Sequence, residues 1–207
     1  MSQPFVATPH RRKSEPRAGK FVSPNAADAI DAAFHQACER DPLFDDHSEN
    51  VTRVATAVGR HLGLTRSRLE ILAFAALVHD LGKGVVPAAV IAKEGPLDDE
   101  EWQLMRNHPA AGAQILASCS APPQVVAAVR SHHERWDGTG YPARLAGREI
   151  PLAGRIISAA DAYCAMIEPR SYRAPRTPAA ARAEMLANAG TQFDVDCARA
   201  VVAVTGV

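Results

Sequence analysis

The 207-residue sequence predicts an all-α bundle, and three observations support this fold class. Apolar residues recur at helical spacing in successive segments, as Val51, Val54, Ala55 and Val58 do. The alternating Val, Ile and Thr residues between turn signals that indicate strands are missing. Hydrophobic residues make up 47% of the chain and charged residues 22%, so one domain of this length has enough apolar surface to form a core.

The overall charge excludes some classes of partner. Lys plus Arg and Asp plus Glu each total 23, so a neutral chain has no global field that attracts duplex nucleic acid or an anionic membrane. The N-terminus has no long apolar stretch and the longest apolar runs, such as AFAALV, are shorter than a membrane span, which predicts a cytoplasmic protein. Four scattered cysteines without a CxxC pair indicate reduced thiols rather than a zinc ribbon.

The first part of the chain divides into a tail and three helices. Residues 1–23 are polar, basic and contain proline, which predicts a disordered N-terminal tail before a single domain over residues 24–207. Gly63 ends the second predicted helix, and the third is apolar on nearly all sides, which is typical of a central helix. The predicted helices are Ala26–Arg40, His47–Leu62 and Arg66–Asp80.

The second part of the chain contains further helices around one long loop. The acidic run DDEE complements the positive end of a helix over Asp98–Asn107, after which Pro109 is expected to interrupt. The loop WDGTGYPARLAGREIP is rich in Gly and Pro. The other predicted helices run from Pro122 or Pro123 to near His133, over Leu152–Met166, over Pro178–Asn188 and over Val195–Val204.

Ligand-type side chains occupy apolar faces of these helices. Asp80 ends the most buried helix, and Asp161 follows Ile157 by one helical turn. An uncompensated buried carboxylate is costly, whereas a metal ion supplies positive charge and accepts neutral imidazoles as further ligands. A buried salt bridge is the alternative, but arginines on these faces are few. The histidines in similar positions are His47, His79, His108, His132 and His133.

Together these five histidines and two carboxylates predict a buried two-metal site. Mixed nitrogen and oxygen ligands suit iron, manganese or zinc. Seven ligands are too many for one ion that must keep an open position, so we expect two ions with Asp80 as the bridging carboxylate. Two adjacent metal ions activate a water and bind the oxygens of an in-line displacement, which is the chemistry of phosphoester hydrolysis.

The order of these residues resembles the HD metallohydrolase superfamily, and three sequence strings resemble its HD-GYP subfamily. The resemblance extends from about Asp41 to Asp196 and includes Gly140-Tyr141-Pro142. Its strings are HDLGK from His79, HHERWDGTGYP from His132, and ADAYCAM…RSYR around Asp161 and up to Arg173.

The resemblance implies an HD-type helical bundle that hydrolyses cyclic di-GMP to the linear dinucleotide pGpG and/or to GMP. It also implies two divalent ions, iron or manganese, although zinc or nickel could replace them during purification. A diguanylate cyclase or another signalling protein is an expected partner. The implied metal ligands are His47, His79, Asp80, His108, His132, His133 and Asp161; Asp80 and Lys83 are the implied catalytic residues; and Lys83, Gly140, Tyr141, Pro142, Arg170 and Arg173 are the implied substrate contacts.

The sequence departs from the family pattern in several places. Leu43 stands where relatives with a third metal have a glutamate, so we expect two metals. Asp45 or Asp46 could still enter the site as a further ligand. Cys164 stands where the family usually has an aspartate. It is either a small buried residue, a residue that supports the metal ligands from behind, or itself a soft metal ligand. The stretch IEPRSYR alters the substrate-contact segment. About forty residues precede the resemblance, too few for a sensor domain.

Two other functions stay open at the level of sequence. One is hydrolysis of another cyclic dinucleotide or of an unrelated phosphoester. The other is a catalytically weak protein that binds the dinucleotide or acts as an adaptor, which the changes at Leu43, Cys164 and Ser171 and the expected lack of a sensor domain leave open. Retention of the complete ligand set argues against an adaptor, because an adaptor does not need it.

Overall fold

The computed structural model describes residues 19–169 and 174–206, and over these residues it forms ten α-helices and no sheet. The predicted all-α fold class is therefore confirmed. Two short 3₁₀ helices, Leu81–Val85 and Gly147–Glu149, connect longer elements. The α-helices are α1 (Pro24–Arg40), α2 (Phe44–His61), α3 (Arg66–Leu77), α4 (Ala88–Ile91), α5 (Asp99–Arg106), α6 (His108–Ser118), α7 (Pro123–Ser131), α8 (Leu152–Ile167), α9 (Pro178–Ala187) and α10 (Val195–Thr205).

The core lies where α2, α3, α7 and α8 meet. Helix α2 packs against α3, α8 and α10, while α7 packs against α3, α6 and α8. The apolar faces predicted from the helical spacing are fully buried here, including Val51, Leu72, Val129 and Ile157. Burial of apolar side chains from four helices makes the centre of the bundle a dry, close-packed environment.

Several predicted helix ends differ from the structure for local reasons. Pro109 does not interrupt a helix but lies in the first turn of α6, where a missing N–H costs nothing. Helix α3 ends at Leu77 rather than at Asp80, because the chain turns into the 3₁₀ helix Leu81–Val85. Helix α6 was not predicted, because Pro109 indicated a break rather than a helix start. Helix α4 and both 3₁₀ helices were not predicted either, since elements of three to five residues carry too little periodicity.

The predicted tail lies mostly outside the described residues, which begin at residue 19. Residues 19–23 contact the bundle: the Phe21 ring stacks on Phe74 with a centroid distance of 4.9 Å, and Lys20 pairs with Glu70 at 2.7 Å. These contacts attach the segment before α1 to α3. Over the part of the chain that the structure describes, no helix combines the length and apolar character needed to cross a membrane.

Candidate metal centre

The seven predicted ligands converge from five places in the bundle. His47 lies in α2, and Asp161 lies in α8. His79 and Asp80 follow α3, His108 begins α6, and the His132–His133 pair follows α7. Because α2 and α7 both pack against α3 and α8 around the core, side chains at these helix ends and inner faces meet. His79, Asp80, His108 and His132 are buried to 2% exposure or less.

Three of the histidines are oriented in the same way by the backbone. In each, ring Nδ1 donates a hydrogen bond to the carbonyl oxygen three residues earlier, which fixes the tautomer and directs Nε2 toward the cluster. The pairs are His79 with Ala76 at 2.8 Å, His108 with Met105 at 2.7 Å, and His132 with Val129 at 2.6 Å.

The ligand atoms form two groups that share Asp80. In the first group, ligand atoms of His47, His79 and Asp80 lie within 4.8 Å of one another. Asp161 adjoins this group, with its Oδ1 3.1 Å from His47 Nε2. We therefore count Asp161 with the first group. The second group is Asp80, His108, His132 and His133, again with ligand atoms within 4.8 Å of one another.

Asp80 is the shared carboxylate. Its Oδ1 lies 3.1 Å from His108 Nε2 and 3.7 Å from His132 Nε2 in the second group, while its Oδ2 lies 3.4 Å from His79 Nε2. Lys83 Nζ also donates to Oδ2 at 2.6 Å. Burial favours the protonated acid, but the positive charge of Lys83 and the histidines around it outweigh burial and hold the pKa of Asp80 well below its usual range.

The donor set fits metal ions. Burial lowers the pKa of His132 and His133, and their histidine neighbours lower it further, so both rings favour the neutral form that binds metals. His79 Nε2 is fully buried and has no hydrogen-bond partner among the described residues. An orphaned buried ring nitrogen is costly, and this one belongs to the first group. A divalent ion there would bind the nitrogen and compensate both carboxylates.

His47 is held differently from the other histidines. Its Nδ1 donates to Glu168 Oε2 at 2.7 Å, and Asn50 Nδ2 donates to the other oxygen of Glu168 at 2.7 Å. Burial lowers the pKa of His47, but hydrogen bonds to Asp161 and Glu168 outweigh burial and raise it to about 9. Neither Glu168 nor Asn50 was predicted. They lie 121 and three residues from His47, and nothing local in the sequence indicates the longer contact.

The Gly-Tyr-Pro loop is tied to the metal centre through Glu134. This buried carboxylate accepts hydrogen bonds from the backbone N–H groups of Ala143 at 2.6 Å and Leu145 at 3.1 Å. Gly140 approaches so closely that a Cβ there would lie 2.4 Å from the backbone nitrogen of Arg135. Tyr141 therefore stacks on His133, with ring centroids 5.0 Å apart and an interplanar angle of 26°.

A cleft of about 690 Å³ opens from the second group. The residues that line it include Asp80, Lys83, Trp102, His133, Tyr141 and Asp161. Of the predicted substrate contacts, Lys83 and Tyr141 line this cleft. Gly140 is buried beneath the loop and Pro142 is half-buried. Arg170 and Arg173 lie outside the described residues.

The departures from the family pattern have distinct positions. Cys164 is 1% exposed and burial raises the pKa of its thiol, so it stays protonated, as expected of a small buried residue. Leu43 is exposed. Neither Asp45 nor Asp46 belongs to the two ligand groups. The described residues bring together two groups of side chains that could hold a metal ion.

Comparison with known proteins identifies the family of the chain. The HD domain family model matches residues 34–197. The chain belongs to the HD domain family, in its HD-GYP branch. It is 37% identical over 156 residues to the cyclic di-GMP phosphodiesterase response regulator RpfG of Xanthomonas campestris, covering 74% of this chain and 41% of the relative. It is 34% identical over 172 residues to the 3'3'-cGAMP-specific phosphodiesterase 2 of Vibrio cholerae, covering 82% and 32%. The chain thus spans well under half of these relatives.

Solved structures support the fold. The chain is similar to Bd1817, an HDG"Y"P protein from Bdellovibrio bacteriovorus, with a TM-score of 0.67 and 20% identity over 79% of this chain and 53% of that one. It is also similar to the HD domain of the Listeria monocytogenes phosphodiesterase PgpH in complex with cyclic-di-AMP. There the TM-score is 0.59 and the identity 16%, over 84% of this chain and 93% of that one. The expected HD-type helical bundle is confirmed.

Proposed function

We propose that this chain is a metal-dependent phosphodiesterase that hydrolyses cyclic di-GMP to linear pGpG and/or GMP. The observation that carries this proposal is the buried carboxylate of Asp80, which is shared by two groups of histidines and lines a cleft. The relative RpfG, named as a cyclic di-GMP phosphodiesterase, supports the same activity. The proposed metals are two divalent ions, iron or manganese, because the donors mix imidazole nitrogen with carboxylate oxygen.

The residues have separate proposed roles. His47, His79 and Asp161 would hold one ion, His108, His132 and His133 would hold the other, and Asp80, which belongs to both groups, would contribute to each. When bound, a metal pair supplies an activated water and positive charge for the oxygens of an in-line displacement at phosphorus.

The cleft provides the contacts for the substrate. Lys83 keeps one oxygen of Asp80 hydrogen-bonded and adds positive charge beside the position of a phosphate. Tyr141 presents its ring to the cleft because the loop fixes it on His133. We include Arg170, Arg173, Gly140 and Pro142 as substrate contacts on the basis of the family resemblance alone. We propose a diguanylate cyclase or another signalling protein as a partner, also on the basis of the family resemblance alone.

A second candidate substrate is 3'3'-cGAMP. Two relatives of Vibrio cholerae at 34% and 37% identity are named as specific for that dinucleotide. Base identity is read by the walls of a cleft rather than by the metal ligands, so the same metal centre serves either substrate.

An anaerobic hydrolysis assay tests the proposal. Protein freshly loaded with iron or manganese is incubated with cyclic di-GMP, 3'3'-cGAMP or cyclic di-AMP, products are followed over time, and metal is counted in the same samples. We expect about two ions per chain and linear product from cyclic di-GMP. The double variant His79→Ala, Asp80→Ala is the negative control, with its helical content checked by circular dichroism. A folded protein with two ions that releases no product from any of the three would refute the phosphodiesterase proposal.

A further inference from the structure

A row of neighbouring rings, bridged by one guanidinium, leads from the metal centre to α5. The His133 ring centroid lies 4.2 Å from that of His132, and on the other side His133 stacks on Tyr141 at 5.0 Å. The guanidinium of Arg106 then lies over two rings, 5.9 Å from the centroid of Tyr141 and 5.5 Å from that of Trp102. The row joins the second group of ligands to a tryptophan on α5.

Trp102 is firmly positioned although its ring is exposed. It lies in the first turns of α5, whose N-terminus is closed by a reciprocal capping box between Asp98 and Glu101. Glu101 also pairs with Lys93, another residue of the cleft wall. Trp102 is still 43% exposed and lines the same cleft as Asp80 and Lys83. A rigid tryptophan with an open surface in a cleft is typical of a binding site rather than of a core.

The chemistry of this surface matches a nucleobase. Bases stack on aromatic side chains and on arginine guanidinium planes, and every base offers a π-face for such contact. Arginine also presents paired donors that suit the O6 and N7 acceptors of guanine. In the proposed function the metal ligands and Lys83 would contact the phosphodiester, so a purine base would need a separate surface, and Trp102 lines the same cleft as Lys83.

We propose that Trp102, held by Arg106, is the stacking surface for one purine base of the cyclic dinucleotide. The inference rests on the proposed function, since it takes the phosphodiester to lie at Asp80 and Lys83. It adds a determinant of substrate binding that the metal centre does not supply. Docking of a protein segment on the exposed side chains of α5, which include Leu104, is the alternative outcome of the tests below.

Kinetics of cyclic di-GMP hydrolysis test the surface first. Trp102→Ala is expected to raise KM roughly tenfold, as loss of one base–aromatic stack does, with kcat changed much less. Trp102→Phe is expected to recover most of the affinity, because phenylalanine keeps a π-face. The rise in KM should be absent for methyl p-nitrophenyl phosphate, a diester without a nucleobase. Leu104→Ala is the matched control, since Leu104 is on the same helix and 46% exposed but does not line the cleft.

Tryptophan fluorescence provides a measurement independent of turnover. The chain has two tryptophans, and Trp136 lies in the loop after α7, outside the cleft, with Arg155 5.7 Å from its ring. A hydrolysis-resistant phosphorothioate analogue of cyclic di-GMP is expected to quench the wild-type protein and Trp136→Phe. Quenching should be lost in Trp102→Phe.

The results separate this inference from the proposed function. Wild-type KM and retained quenching in the Trp102 variants, with normal hydrolysis of cyclic di-GMP, would overturn the stacking surface and leave the phosphodiesterase intact. A wild-type protein that neither hydrolyses nor is quenched by any of the cyclic dinucleotides would overturn both. Loss of partner binding in Trp102→Ala and Leu104→Ala alike, with unchanged KM, would assign the face to protein docking instead.

Discussion

The two groups of the metal centre are built in different ways. In the second group, the Nδ1 atoms of His108 and His132 each donate to a backbone carbonyl three residues earlier. In the first group, His47 has a carboxylate in that role, contributed by Glu168 at the end of α8. Backbone carbonyls survive any side-chain substitution, whereas a carboxylate is lost with one mutation. His108 and His132 of the second group, like His79 of the first, are therefore fixed by local chain geometry, whereas the orientation of His47 depends on the packing of α2 against α8.

The largest effect is expected from the residue that both groups share. Asp80→Asn removes the negative charge that both groups share and replaces one carboxylate oxygen with an NH2 group, while keeping the size of the side chain. We expect metal content to fall from about two ions per chain to less than one, and turnover to be lost. Metal analysis and the hydrolysis assay measure the two effects. A variant that keeps both ions would show that Asp80 does not link the groups.

Single-histidine variants compare the groups directly. His47→Ala is expected to remove the ion of the first group and His132→Ala that of the second, so each variant keeps about one ion. Titration with manganese, followed by electron paramagnetic resonance, counts bound ions and detects coupling between two of them. Loss of both ions from either variant would mean that the groups fill only together.

A smaller effect is expected from Lys83, which contacts the shared carboxylate without being a metal ligand. Lys83→Met keeps the aliphatic stem but removes the donor to Asp80 and the positive charge in the cleft. We expect metal content to stay near two ions and kcat to fall on the order of 100-fold, as for loss of one charged donor to a transition state. Lys93→Met is the control, since Lys93 lines the same cleft but pairs with Glu101. An equal fall in kcat in both variants would mean that Lys83 contributes only general electrostatic attraction for the substrate.

The sequence predicted the features that depend on neighbouring residues and missed those that depend on contacts between distant parts of the chain. Histidines at the ends of apolar helices indicated ligands because helical spacing places them on buried faces. The tryptophan on α5 and the glutamate that holds His47 were missed, since an exposed ring and a carboxylate after a helix carry no periodic signal. Gly82 is a further contact that the local sequence does not predict. A Cβ there would lie 2.0 Å from the carbonyl oxygen of His108, because the 3₁₀ helix that contains Gly82 packs against α6.

Glu168→Ala tests whether the carboxylate behind His47 contributes to metal binding. The substitution leaves every predicted ligand in place but frees His47 Nδ1 and removes the partner of Asn50. Loss of such a partner behind a ligand typically costs about 10- to 100-fold in metal affinity. We expect that loss for one ion only, with the ion of the second group unchanged, measured by competition with a fluorescent chelator.

The controls separate orientation of His47 from general stability. Glu168→Gln keeps an oxygen that accepts from His47 and should restore much of the affinity, because orientation survives without the charge. Glu49→Ala removes an exposed carboxylate of α2 and should leave both affinities unchanged. If Glu168→Ala weakened both ions equally, or lowered Tm without changing affinity, the carboxylate would serve the packing of α2 on α8 rather than the ligand. A selective loss at the first group, recovered by glutamine, would establish that a contact across 121 residues sets the affinity of one of two adjacent metals.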